Sequence, residues 1–224
     1  VLSGEGGDEL FGGYLWHSLV ANPNLSKEDI FQGFYAYSSN YVDATRYMAD
    51  KQLSQTQYRY KPAYDNEPNT LNGMLHYAML TWMPENLMMK ADKILMSHSL
   101  EGRFPFLHKP IVEFANKLPA NMKFHSSNTG KFILKSLMAR EIDERIIKRP
   151  KMGFSLPMDL LLNCFKGKVH DTLDSAERSA LKDILDFKEI RADVHSYYNG
   201  GEMPFMKVWS LFVMLYWFVN VYLI

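Results

Sequence analysis

Two carboxylates in a glycine-rich stretch carry the clearest chemical signal in this sequence. Residues 1–14 read VLSGEGGDELFGGY. Ser3 and Gly4 can bring backbone N–H groups close to a ligand, because glycine has no Cβ to hold a phosphate away. Glu5 falls in the turn, and Asp8 falls in the first turn of the following helix, where the helix dipole favours an anion or an anion–metal assembly. Such a pair could supply a base and a metal ligand.

The spacing of this stretch leaves two interpretations open. It differs from G-x-G-x-x-G because Glu9 occupies the place of the third glycine. It also differs from the phosphate-binding loop of nucleotide hydrolases, because no Lys-Ser or Lys-Thr pair follows Gly12-Gly13. On spacing alone, an ordinary connection from strand to helix with solvated acids is as good an interpretation as a functional turn.

The elements that must position the turn are predicted to be one strand and many helices. Val1-Leu2 is interpreted as the exit of a buried strand, and Tyr58–Thr70 as a loop. Pro84 is expected to break the chain between two helices, and the apolar tail Val208–Ile224 is expected to be a buried final helix. Apolar residues at helical spacing predict helices over residues 15–25, 41–57, 71–82, 87–100, 111–118, 130–141 and 169–191, and a further helix that begins at Ser26.

Composition excludes several classes of protein. Among 224 residues, 25 basic and 25 acidic side chains give a formal net charge of zero, which disfavours nucleic acid and anionic membranes as partners. The single cysteine, Cys164, excludes an intrachain disulfide and a cysteine-based zinc cluster, and we expect it to be buried. The cysteine usage and the absence of a signal segment predict a cytoplasmic protein.

A second candidate group is the loop of residues 148–154, KRPKMGF. Pro150 and Gly153 enforce a fixed non-helical conformation, so that Lys151 is presented by the backbone and suits a phosphate. The alternative is a basic surface loop. Lys131, Lys135 and Arg140 lie on a predicted helix and are interpreted as a solvated face.

Four blocks of this sequence resemble the glutamine-dependent asparagine synthetase family, in the family's order. They are SGEGGDELFGGY, LMMKADKILMSHSLEGRFPFL, GKFIL and KRPKMGFSLP. The family's pyrophosphate-binding motif SGGxDS occurs nowhere in the chain, and His108 stands where the family usually has Asp. A weaker cap on the following helix is expected as a result. Glu101 and Arg103 are interpreted as a partly buried ion pair that holds the Pro105 turn.

The resemblance implies a fold and a domain. Residues 1–224 would be the C-terminal, helix-rich portion of an α/β synthetase domain of the adenine-nucleotide α-hydrolase-like (PP-loop) type, with a strand at the N-terminus. The N-terminal glutaminase domain would lie outside this chain, since Cys164 is in the wrong place to be its nucleophile. The chain by itself is therefore expected not to turn over ATP, and to expose apolar surface where upstream strands would pack.

The resemblance also implies an activity. The family activates a carboxylate, usually that of aspartate, by attack on the α-phosphorus of ATP, and ammonia from glutamine then displaces AMP. ATP and Mg²⁺ are the implied cofactors. Ser3 and Gly4 would hold the nucleotide, Asp8 would bind the metal, and Lys151 would be the fixed cation. Glu5 would orient or deprotonate the ammonia.

The alternatives are a related amide-forming enzyme and a protein without catalysis. A β-lactam synthetase-like or sugar-acid amidating enzyme would share every residue named for the site, and only its substrate pocket would differ. A helical binding module that has lost catalysis is the second alternative, and retention of Glu5, Asp8 and Lys151 together argues against it. The expected partners are small-molecule substrates, a glutaminase domain and a second copy in a homodimer.

Overall fold

The computed structural model describes residues 1–39, 44–50, 59–125, 129–149 and 157–222, and these residues are mainly helical. The chain forms two compact units. The first comprises residues 1–37 and 58–151, and the second comprises residues 38–57 and 152–224. Most of the helix predicted over residues 41–57, and residues 150–154 of the loop that carries Lys151, lie outside the described residues.

The first unit contains nine α-helices and one hairpin in its described part. Its helices are α1 (Gly7–Phe11), α2 (Lys27–Ser39, whose last residues belong to the second unit), α3 (Lys61–Asp65), α4 (Thr70–Leu80), α5 (Met89–Met96), α6 (Lys109–Lys117), α7 (Ala120–Lys123), α8 (Phe132–Met138) and α9 (Glu144–Ile147). Strands β1 (Phe124–His125) and β2 (Thr129–Gly130) pair antiparallel between α7 and α8. Short 3₁₀ turns cover Leu15–Ala21 and Pro105–Leu107.

Two clusters of apolar side chains hold the first unit together. One joins α2 to α3 and α4, and its largest fully buried members are Phe31, Phe34 and Tyr64. The other packs α1 against α6 through Leu10, Phe11 and Ala115. Burial of each large side chain contributes roughly 1.5–3 kcal/mol, far more than a five-residue helix could supply through its own backbone. Tertiary packing therefore holds α1 in place.

The start of the chain is strand-like but exposed. Leu2 forms a parallel bridge with Arg103, in which the Ser3 N–H donates to the Arg103 carbonyl over 3.0 Å and the Arg103 N–H donates to the Val1 carbonyl over 2.8 Å. Val1 and Leu2 are 64% and 77% exposed. The prediction of a buried strand exit is therefore wrong for this structure, because no described residue covers the face that carries these side chains.

Several helix boundaries differ from the predicted ones in the first unit. The loop predicted at Tyr58–Thr70 contains α3, in which Pro62 occupies an early position where its missing N–H costs nothing. Pro84 does not break the chain either. It lies at the start of a π-helical segment, Met83–Met88, that leads directly into α5. The predicted helices at 71–82 and 111–118 are confirmed as α4 and α6.

The described part of the second unit contains four α-helices. They are α10 (Met158–Cys164), α11 (Lys166–Glu177), α12 (Phe187–Tyr198) and α13 (Phe205–Trp217), with 3₁₀ turns at Ala44–Tyr47 and Ala180–Asp183. The single helix predicted over residues 169–191 is thus two helices, and Asp186 begins the second by accepting hydrogen bonds from the N–H groups of Lys188 and Glu189. Cys164 is exposed, which corrects the expectation that it is buried.

The final helix buries only one of its faces. Val208, Leu211, Phe212 and Leu215 are buried against the neighbouring helices. The opposite face is open to solvent, and Trp217 is 50% exposed. By length and composition the segment Phe205–Tyr222 could cross a membrane, and 17% of it is buried. The prediction of an internal final helix is therefore correct for one face only.

Candidate active site

The glycine-rich turn is held open by glycine at the points where the chain bends. Helix α1 lies between two glycines in the left-handed region, Gly6 at φ 93° and Gly12 at φ 72°. A Cβ on Gly6 would also lie 2.5 Å from a methyl carbon of Leu107. Asp8 falls in the first turn of the helix, as the sequence predicts. The sequence GEGGDELFGG therefore dictates a short helix that begins and ends in tight turns.

The turn before α1 presents backbone donors that the chain does not use. Within the described residues, the N–H groups of Gly4, Glu5 and Gly6 donate to no protein acceptor. Space around the Gly4 Cα is open, since a Cβ there would meet no atom within 4 Å. The Glu5 carboxylate likewise forms no hydrogen bond or ion pair with any described residue. Three adjacent donors of this kind suit an anion.

Lys131 lies directly at the site, contrary to the prediction of a solvated lysine. Its Nζ is 3.0 Å from Oδ1 of Asp8, and the two side chains are 32% and 21% exposed. Lys131 precedes α8 in the left-handed conformation, at φ 58°, which is unfavourable for a residue with a Cβ. Its own N–H donates to the Phe11 carbonyl over 2.9 Å. Backbone and side chain therefore both attach Lys131 to α1.

Close backbone contact fixes this arrangement. A Cβ on Gly130 would lie 2.1 Å from the Gly12 carbonyl oxygen, so only glycine lets β2 approach the end of α1 this closely. A Cβ on Gly13 would lie 1.8 Å from Oδ1 of Asp8 and 2.3 Å from Cε of Lys131. Helical periodicity alone assigned Lys131 to a solvated face. The signal that it missed is the Gly-Lys pair that opens the block GKFIL.

A buried hydrogen-bond network lies behind the turn. Glu9 is 1% exposed and accepts a hydrogen bond from the Tyr14 hydroxyl, which in turn accepts one from Nε1 of Trp82 over 3.2 Å. Burial raises the pKa of Glu9, and the bond from Tyr14 opposes that rise. Burial and the Glu9 charge both raise the pKa of Tyr14, so the phenol keeps its proton and acts as the donor. The Tyr14 ring stacks on Trp16 with centroids 4.1 Å apart.

A buried lysine lies near the same turn. Lys123 is 2% exposed, and its Nζ donates to Oδ1 of Asn72 over 3.0 Å. Burial lowers its pKa from 10.5 to about 8, because the charged ammonium loses its hydration. The adjacent Phe124 and Leu71 border Gly12. Both Glu9 and Lys123 were missed by the sequence analysis, because nothing in their local sequence marks them as buried.

Comparison with known proteins assigns the chain to a family. The family model described as asparagine synthase matches residues 1–219. The chain belongs to the asparagine synthase family. It is 24% identical to asparagine synthetase [glutamine-hydrolyzing] 1 of Bacillus subtilis over 97% of this chain and 40% of that protein. It is 28% identical to asparagine synthetase [glutamine-hydrolyzing] 3 of the same organism over 84% of this chain and 31% of that protein.

These comparisons set the extent of the likeness. The chain spans about two fifths or less of the length of these two relatives. No solved structure matches the chain. The resemblance noted in four sequence blocks is thus confirmed at the level of the family. The assignment of the PP-loop fold stays a prediction, since the described part of the chain is mainly helical.

Family residues outside the turn have mixed outcomes. Glu101 and Arg103 form an ion pair at 2.6 Å, but their side chains are 70% and 69% exposed, so the expectation of a partly buried pair is wrong. His108 begins α6 without a side-chain hydrogen bond to the helix, as expected for the loss of the family's Asp. Lys151 lies outside the described residues, and its role stays a prediction.

The residues at the turn suit a magnesium ion bound together with a phosphate. No group of three or more His, Cys, Asp or Glu side chains in the described ranges could form a metal site on its own. Magnesium usually takes one or two carboxylates and completes its shell with water and substrate phosphates. The partly exposed Asp8 carboxylate beside unused N–H donors matches that requirement.

Proposed function

We propose that this chain is part of a ligase that amidates a carboxylate at the expense of ATP, with aspartate as the first candidate substrate. The carboxylate would attack the α-phosphorus of ATP, forming an acyl-adenylate and releasing pyrophosphate. Ammonia, obtained from glutamine, would then displace AMP and leave an amide. Membership of the asparagine synthase family supports this class of reaction.

One observation supports a particular site for this activity. It is the ion pair between Asp8 and Lys131 beside the glycine-rich turn. Bringing a carboxylate to a triphosphate requires fixed positive charge where negative charge develops. Lys131 supplies an ammonium held by its backbone, and the turn supplies unused N–H donors. A lysine on a solvated helix face would supply neither fixed position nor exclusion of water.

The roles of the individual residues follow from their surroundings. Ser3 and Gly4 would bind the nucleotide by hydroxyl and N–H contacts, because the space beside Gly4 is open. When the nucleotide enters, the Lys131 ammonium would leave Asp8 and form an ion pair with a phosphate oxygen. Glu5, whose carboxylate has no partner among the described residues, would orient the incoming ammonia and accept its proton.

Asp8 would hold Mg²⁺ together with phosphate oxygens. When bound, the ion would neutralise charge on the phosphates and polarise the phosphoryl group. In this exchange of partners the Lys131 side chain would move from Asp8 to a phosphate oxygen, while close packing at Gly130 and Gly13 keeps the backbone in place.

Equilibrium binding of ATP with Mg²⁺ tests the proposal directly. We expect Lys131→Met to weaken binding in titration calorimetry by about tenfold or more, since a hydrogen bond to a charged group contributes about 1.5–3 kcal/mol. Asp8→Asn should remove most of the Mg²⁺ dependence of binding. Lys151→Met should weaken binding comparably if Lys151 is the second cation at the phosphates.

Lys117→Met is the matched control. Lys117 is exposed at the end of α6 in the same unit and takes part in no ion pair among the described residues. Its loss changes the net charge by the same amount as the loss of Lys131. Equal weakening by Lys117→Met and Lys131→Met would mean that only general electrostatic attraction is at work. A wild-type chain without measurable affinity for ATP would contradict the proposed site.

A further inference from the structure

Tyr14 connects the candidate site to the interior of the first unit. Asp8 and Glu9 are neighbours on α1, and Asp8 faces Lys131 while Glu9 faces the interior. Tyr14 comes directly after Gly13 and donates its hydroxyl proton to Glu9. The residues between the two ends of this bond, Leu10 to Gly13, include the whole of the turn against which β2 packs. The hydrogen bond from Tyr14 to Glu9 thus joins the two ends of the segment that contains this turn.

The Tyr14 side chain is held on several sides. Its hydroxyl accepts from Nε1 of Trp82, which follows α4, and its ring stacks on Trp16. Its backbone N–H donates to Nδ1 of His17, which is fully buried. These contacts anchor Tyr14 to residues from two other segments of the unit. The position of Gly13 is therefore set from one side by α1 and from the other by Tyr14.

Small displacements of Gly12 or Gly13 matter because the site has no spare room. The Gly12 carbonyl leaves no room for a Cβ at Gly130, and the Asp8 and Lys131 side chains leave none at Gly13. The Lys131 N–H bonds to Phe11 over 2.9 Å, next to the same turn. A shift of the turn would loosen the anchor of Lys131 and alter the distance between its ammonium and Asp8.

The geometry points to Tyr14 as a positioning residue, whose bond to Glu9 fixes the Gly12-Gly13 turn and thereby the Asp8–Lys131 pair at the nucleotide phosphates. Tyr14 itself touches no ligand in this scheme. The effect on nucleotide binding rests on the proposed function, whereas the effect on the turn does not. The two parts can therefore be tested separately.

Hydrogen exchange of the ligand-free chain tests the effect on the turn. In Tyr14→Phe we expect the amides of Gly12, Gly13 and Lys131 to exchange at least about fivefold faster, because the turn loses one of its two anchors. Peptides over residues 10–14 and 129–135, measured by mass spectrometry and normalised to amides of α4, would report the change. Unchanged exchange in both peptides would overturn the proposal.

Nucleotide binding tests the consequence for the site. Tyr14→Phe should weaken affinity for ATP with Mg²⁺ about tenfold. Glu9→Gln keeps an oxygen that can accept from Tyr14, so we expect it to weaken affinity only about twofold. If wild type binds no ATP, the proposed function fails while the exchange result still stands.

Tyr64→Phe separates positioning from general stability. Tyr64 is fully buried in the same unit, and its hydroxyl donates to the Lys27 carbonyl over 2.6 Å. The two substitutions delete the same group from the same residue type. We expect Tyr64→Phe to lower the free energy of unfolding without faster exchange at Lys131 and without loss of affinity for ATP. Equal effects of the two substitutions in both assays would reduce Tyr14 to an ordinary structural residue.

Discussion

The two units of this chain differ in whether their buried charged side chains have ion-pair partners. In the second unit, the buried Asp193 accepts a hydrogen bond from the Tyr47 hydroxyl and lies 3.1 Å from the Arg46 guanidinium. In the first unit, Glu9 also accepts from a tyrosine, but no described cation pairs with it. Lys123 is similarly buried with a neutral partner, Asn72.

This difference in charge pairing distinguishes a structural role from a functional one. A buried charge with a counter-charge stabilises local structure, whereas one without a counter-charge costs free energy through lost hydration. Neither Glu9 nor Lys123 forms an ion pair with a described residue, although the charge of Glu67 partly stabilises the Lys123 ammonium. Both groups lie near the glycine-rich turn that carries Asp8, and such costs concentrate at functional sites. We infer that the first unit carries unfavourable charge burial near its site, and that the second unit carries none of this kind in its described part.

The largest effect that we predict is stabilisation by Lys123→Met. The pKa of Lys123 falls from 10.5 to about 8 in the folded chain, a difference that corresponds to about 3 kcal/mol. At pH 7 the substitution should raise the free energy of unfolding by about 2–3 kcal/mol, with some loss because Asn72 gives up its partner. Urea unfolding followed by tryptophan fluorescence would measure it.

The pH dependence of this effect has a definite sign. The folded pKa lies below the unfolded one, so the stability of wild type should rise as pH increases from about 8 to 10.5. The advantage of Lys123→Met should shrink over the same range. Lys117→Met, at an exposed position in the same unit, should show neither the gain nor the shrinkage. A gain that is independent of pH would refute burial of charge as its cause.

Asp193→Ala should produce the next largest change in the free energy of unfolding, and it should be destabilising. It removes the acceptor of the buried Tyr47 hydroxyl and one partner of Arg46, and we expect a loss of about 2 kcal/mol in unfolding free energy. Affinity for ATP should not change. Glu189→Ala removes a second, exposed partner of Arg46 and should cost under about 1 kcal/mol, which serves as the comparison in the same urea experiment.

Glu9→Gln should change the pH dependence of the free energy of unfolding more than it changes the magnitude of that free energy. The pKa of Glu9 is raised above the usual 4.5, so the folded chain holds this proton more tightly than the unfolded chain. Wild-type stability should therefore contain a contribution that falls as pH rises above about 4.5 towards neutrality. The variant should lack this contribution in unfolding curves compared between pH 5 and 7. If the difference in unfolding free energy between wild type and variant does not change with pH, the prediction is wrong.

The smallest effect is expected at the exposed ion pair. Glu101→Ala should change the unfolding free energy by less than about 0.5 kcal/mol, because both partners are mostly in water. Thermal unfolding at low and high salt would measure it. A loss of 2 kcal/mol or more would restore the partly buried pair that the sequence predicts.

Local sequence signals predicted the helices and the position of Asp8. Apolar periodicity located α4, and the glycines located the turn before α1. Short-range patterns failed where long-range contact decides. Lys131 is drawn from a predicted helix face to Asp8 by a backbone contact between residues more than 100 positions apart, and no periodicity contains that information.

The proline rules failed for a related reason. The loop predicted at Tyr58–Thr70 and the break predicted at Pro84 are both replaced by helical segments, each with a proline near its start, where a missing N–H is harmless. Burial was the hardest property to predict. Glu9 and Lys123 are charged residues, for which solvent exposure is the default, yet tertiary packing leaves them 1% and 2% exposed.

The left-handed backbone of Lys131 has a consequence for how this position tolerates mutation. Glycine, and to a lesser degree asparagine, would adopt φ 58° with less strain, so Lys131→Gly should be neutral or slightly favourable for folding. A library selected only for thermal resistance would therefore accumulate glycine here. One selected for nucleotide binding would keep lysine, the residue that combines a reaching ammonium with a conformation it does not prefer.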